Sequence, residues 1–89
     1  MEFQKTIREI SDGKFFVAIH PPLTKEEMEA LQMEILGYFK EIGEFALAGK
    51  IGQKRGISYF MISMPYPRPG LKKAIELGLE KGLKELSKT

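Results

Sequence analysis

The sequence predicts a two-layer α+β sandwich, with a four-stranded antiparallel sheet of strand order 1-2-4-3 and two helices on one of its faces. Three observations predict it. The apolar residues change period along the chain, from two to 3.6 and back, in the order ββαββα. A capping box at Thr24–Glu27 fixes where the first helix begins. At 89 residues and 43% hydrophobic the chain suits a single domain, 1–89, with one core. A chain of this mass can bury roughly 64% of its unfolded surface, enough for two layers.

Glu2 to Ile10 mixes β-branched and charged residues, Ser11-Asp12-Gly13 is a turn tripeptide, and Lys14 to His20 is a dense β run. They read as a hairpin with a three-residue loop. Pro21-Pro22 removes two successive amide donors and ends the second strand at His20.

In Thr24-Lys25-Glu26-Glu27 the Thr24 hydroxyl is spaced to meet the Glu27 amide, and the Glu27 carboxylate to reach back to Thr24; Leu23 and Met28 are placed as a hydrophobic staple. Met28, Leu31, Ile35, Phe39 and Ile42 then recur at helical spacing, and Gly43 offers a left-handed stop. The expected helix is 25–42. Glu44 to Ile51 alternates as a strand, with Phe45, Leu47 and Ile51 expected on the core face and Ala46, Ala48 and Lys50 opposite. After 52–56, Ile57 to Met64 resumes β character and closes a second hairpin. Pro65-Tyr66-Pro67-Arg68-Pro69 is a stiff crossover, followed by a helix over 70–86. Gly78 and Gly82 lie in that helix's apolar stripe, where each costs up to about 1 kcal/mol relative to Ala. Close approach of the helix to another element offsets such a cost.

From the second strand onward, the order is that of the first five elements of a ferredoxin-like βαββαβ domain. The N-terminal strand stands in for the missing last one at the sheet edge. Short connections and a right-handed crossover leave few other topologies.

Composition narrows the function more by exclusion than by indication. Cys is absent, which removes disulfides, thiolate metal sites and Cys nucleophiles. The net charge of +2 is too small to draw the whole protein to nucleic acid or an anionic membrane without local clustering. MEFQKTIREI lacks the regions of a signal peptide, and no apolar run reaches membrane-span length, so a cytoplasmic protein with no membrane partner is expected. Asn and Trp are absent and Lys with Glu dominates the charge, a thermophile-like composition.

One His and one Asp, with no Cys, assemble no catalytic triad or zinc site. Glu76 and Glu80 read as a solvated helix face. The expectation is a non-enzymatic binding module without metal or cofactor.

Two basic clusters stand out. Lys50, Lys54 and Arg55 lie about the second hairpin's tip, as a solvated loop or as phosphate contacts. Arg68, Lys72 and Lys73 open the second helix, and about 25 to 30 Å of strand separates the two clusters.

The sheet face away from the helices is the more informative place. With Phe15, Val17, Ile19, Phe60, Ile62 and Met64 in the core, alternation sends Phe16, Ala18, His20, Tyr59, Met61 and Ser63 outward. So apolar a face implies something that covers it. The leading expectation is a second copy of the chain, packed sheet to sheet as a homodimer about a two-fold axis. The alternative is single-stranded RNA or DNA, with bases stacked on the aromatic rings. Arg55-Gly56-Ile57-Ser58-Tyr59-Phe60-Met61-Ile62 matches the RNP1 pattern of RNA-recognition domains at Arg55, Gly56 and Tyr59. It departs at Ile57 and Ile62, and Phe15 to His20 lacks the Asn of RNP2. A third reading is a regulatory domain holding a small ligand at a dimer seam.

Overall fold

The computed structural model describes residues 2–86 as β1 (Gln4–Ser11), β2 (Lys14–His20), α1 (Lys25–Glu41), β3 (Leu47–Ala48), β4 (Gly52–Lys54), β5 (Ile57–Ser63) and α2 (Leu71–Leu86). All strand pairs are antiparallel and the sheet runs β1-β2-β5-β3, with β4 also paired to β5. The fold is α+β, with an antiparallel sheet of five strands and two helices.

The alternation expected along the central strands is present. Phe15, Val17 and Ile19 of β2, and Phe60 and Ile62 of β5 with the following Met64, are buried on one face. They join Met28, Leu31, Ile35 and Phe39 of α1 and Leu71, Ile75, Leu79 and Leu83 of α2 in one core cluster, so both helices cover the same side. Phe3 and Ile7 pack against its margin.

Helix α1 starts at the predicted box. Thr24 Oγ1 accepts from the Glu27 amide at 3.1 Å and Glu27 Oε1 accepts from the Thr24 amide at 2.9 Å. It ends in a Schellman arrangement: Gly43, at φ +78°, donates to the Lys40 carbonyl, and Glu44 donates to that of Phe39. The glycine stripe of α2 lies against α1. A Cβ on Gly78 would sit 3.2 Å from Tyr38 Cδ2, and one on Gly82 would overlap the buried Leu31 side chain.

Three expectations are corrected. The first loop has two residues, Asp12 and Gly13, because Ser11 pairs with Lys14. A one-residue bulge at Ile10 takes up the difference. The strand expected over 44–51 forms only at Leu47–Ala48, and a second short strand, Gly52–Lys54, lies in the stretch expected as loop; the pairing of β3 with β5 and that of β4 with β5 differ by one residue. The intervening bulge contains Gly49, whose amide donates to the Met61 carbonyl.

That bulge reverses the predicted faces. Leu47 pairs with Ser63 on the outer side, and Phe45 and Leu47 are 59% and 57% exposed. Ala46 packs against the core, Ala48 pairs with the core residue Ile62, and Ile51 regains the core side only past the bulge.

Candidate binding face

Directly paired residues of antiparallel strands share a face, so the register defines the outer surface. On β5 it carries Ile57, Tyr59, Met61 and Ser63. Opposite them on β2 stand Lys14, Phe16 and Ala18, with His20 following, and β1 adds Gln4, Thr6 and Arg8. Beyond β5 lie Leu47, Gly52 and Lys54. Phe16, Ala18, His20, Tyr59 and Met61 are thus brought together as alternation implied. Arg8, Lys14 and Leu47 extend the set.

Tyr59 is the centre of this surface, and its neighbours are small. Its direct partners are Ala18 on β2 and Gly52 on β4. The Tyr59 ring lies over Gly52, in the space that a Cβ there would need. It also meets Phe16 across the sheet, with ring centroids 5.5 Å apart and planes inclined at 34°. Two half-buried rings therefore form one aromatic surface over the central strands, with Ala18 buried beneath their level.

The charges on this face have one sign. Arg8, Lys14 and Lys54 all lie on it and all are exposed. Among the described residues that the register places there, none is Asp or Glu. The carboxylates concentrate on the helical layer instead, with Glu26, Glu27, Glu29, Glu34 and Glu41 on α1 and Glu76, Glu80 and Glu85 on α2.

The basic hairpin tip is divided by the structure. Lys54 flanks a two-residue turn of Arg55 and Gly56, at φ 51° and 79°, the type I′ arrangement that matches strand twist. Lys50 lies in the bulge, about 13 Å back along the strand, so it does not belong to the tip. His20 adjoins the tip from β2, with Nδ1 2.9 Å from the Gly56 carbonyl oxygen. A carbonyl only accepts, so Nδ1 carries the proton and Nε2 faces away from that bond.

Arg68 is absorbed elsewhere, in an ion pair with the nearly buried Glu44. Ser58 has a role the sequence did not suggest. Its buried hydroxyl accepts from the Leu23 amide and donates to the Leu23 carbonyl, both at 2.9 Å, tying the loop before α1 to β5. Such a residue reads in sequence as one more small polar position in a strand.

No group of His, Asp and Glu among the described residues is arranged to hold a metal ion, and no described helix is long and apolar enough to cross a membrane. Comparison with protein-family models, curated proteins and solved structures finds no match.

Proposed function

We propose that the protein binds single-stranded nucleic acid on the outer face of its sheet. The observation that carries this reading is the joined Phe16–Tyr59 surface, bordered by Arg8, Lys14 and Lys54 and free of carboxylates among its described residues. Bases offer π-faces to flat rings, and phosphates pair with cations set beside them. Arg55 adds support. It occupies a left-handed turn position that favours Gly or Asn, and retaining a charged side chain there costs about 1 kcal/mol.

The frame suits the role. Its β2-α1-β3/β4-β5-α2 order is that of a ferredoxin-like core, with β1 in place of the usual last strand, which keeps β2 and β5 central and their rings clear of both helices.

Sheet-to-sheet self-association is the second reading, favoured by the exposure of Phe45 and Leu47. Charge weighs against it. Two copies of a face whose described charges are all cationic repel, while an anionic strand neutralises each one.

Fluorescence anisotropy with mixed-sequence DNA and RNA oligonucleotides at low salt tests the proposal. Binding of single strands is expected, with Phe16→Ala and Tyr59→Ala each costing about 1 to 3 kcal/mol for the lost stack. Absence of binding at low salt, or alanine variants that fold and bind like the parent, would sink it.

A further inference from the structure

We infer that β1 is the dimerisation edge of this protein: two copies pair their β1 strands antiparallel about a two-fold axis at Ile7, joining two five-stranded sheets into one. Among the described residues β1 ends the sheet, with β2 as its one strand neighbour, and its residues are exposed at every position but Ile7. Long exposed edges invite another strand, and proteins usually blunt them with charge. Here the charges are arranged to fit a second copy.

On the helix-side face, β1 presents Lys5, Ile7 and Glu9 in that order. Read antiparallel about Ile7, this triplet is its own complement. Lys5 meets Glu9 of the second copy, Glu9 meets Lys5, and Ile7 meets Ile7. Opposite charges at direct cross-strand positions stabilise a sheet and like charges destabilise it. The neighbouring even registers lack this match. Centring on Thr6 sets Lys5 against Ile7, and centring on Arg8 sets two arginines face to face.

The surroundings of the edge fit as well. An open groove of about 390 Å³ runs between β1 and α2, with Ile7 and Leu79 as its apolar lining and Lys5, Lys72, Glu76 and Glu80 as its charged lining. Glu80 lies 3.9 Å from Lys5 Nζ, so each Lys5 would stand between Glu80 of its own chain and Glu9 of the second copy. The bulge at Ile10 and the Asp12–Gly13 turn bound the pairing at one end. A two-fold axis normal to the sheet turns both outer faces to the same side. The dimer then carries two Phe16–Tyr59 surfaces on one continuous platform.

Sedimentation equilibrium without nucleic acid tests the edge independently of what the outer face binds. The parent should be dimeric. Lys5→Glu makes the helix-side face of β1 wholly acidic and Glu9→Lys makes it wholly basic. Each variant alone should raise the dimer dissociation constant at least tenfold. Their equimolar mixture should form a heterodimer, because every crossing is again complementary. Ile7→Cys should cross-link as a dimer on mild oxidation, since the parent chain has no cysteine and directly paired antiparallel residues have Cα atoms about 4.5 to 5.5 Å apart, within the span of a disulfide. Melting curves establish that each variant folds. A parent monomeric at high micromolar concentration overturns the proposal. So does a mixture of folded single variants that stays monomeric, or a dimer that Tyr59→Asp dissociates.

Discussion

At the scale of the residue, single atoms decide what the strands and helices do. The reciprocal bonds of Thr24 and Glu27 satisfy two amides that a helix start leaves open. Thr24→Ala should lower stability by about 0.5 to 2 kcal/mol with the fold unchanged, read as a shift in denaturant midpoint. Ser58 carries a larger penalty because its bonds are buried. Ser58→Ala strands the Leu23 amide and carbonyl away from water, and a loss of about 1 to 3 kcal/mol is expected in the same measurement. Arg55 separates stability from function. Arg55→Asn relieves a left-handed arginine and should stabilise the protein by about 1 kcal/mol, while weakening oligonucleotide binding through the lost charge. A variant less stable than the parent would show that the turn is unstrained. The Thr24 box was legible because its partners lie three residues apart in the chain. Ser58 was not, because its partner Leu23 lies far away in sequence and meets it only in the folded chain.

At the scale of the element, contact distance decides whether a glycine is needed. Gly82 faces Leu31, which is fully buried and cannot swing aside, whereas Gly78 faces the half-exposed Tyr38 at a distance that a small shift relieves. An added methyl gains helix propensity of up to about 1 kcal/mol at either site and costs about 1 to 3 kcal/mol where it overpacks. Gly82→Ala should therefore destabilise the protein while Gly78→Ala stays within about 0.5 kcal/mol of the parent, compared by thermal or denaturant unfolding. Equal effects would mean that the helices separate freely. Periodicity placed β2, β5 and both helices, since each keeps one period throughout, with the Thr24 box marking where α1 begins; β1 was legible from its β-branched residues before the Ser11-Asp12-Gly13 turn, and the bulge at Ile10 breaks its alternation. The segment 44–54 does not. One extra residue at the Gly49 bulge flips the alternation, so Phe45 and Leu47 point outward where an unbroken strand would turn them inward. The sequence did hold a signal for this, a glycine within an alternating run.

At the scale of the whole molecule, the small net charge of +2 conceals a division between a sheet face whose described charges are all cationic and a helical layer that holds most of the carboxylates. Composition averages over that division, so no charge count could reveal it. Alternation placed Phe16 and Tyr59 on a common face, but their union into one surface depends on the register that sets Tyr59 between Ala18 and Gly52. If the face is the binding site, affinity depends on where charge sits and not on how much there is. Arg8→Ala, Lys14→Ala and Lys54→Ala together remove three cations from the face. Lys25→Ala, Lys40→Ala and Lys73→Ala remove the same number from the helical layer and leave an identical net charge. Each phosphate contact to a single strand contributes about 0.7 to the slope of log affinity against log salt. The face variant should accordingly lose about 2 from that slope, and the helix variant should keep the parent's value. Equal losses in the two variants would mean that the protein attracts nucleic acid by its overall field, with no oriented face. A loss confined to the first variant ties the phosphates to the strands that carry the rings.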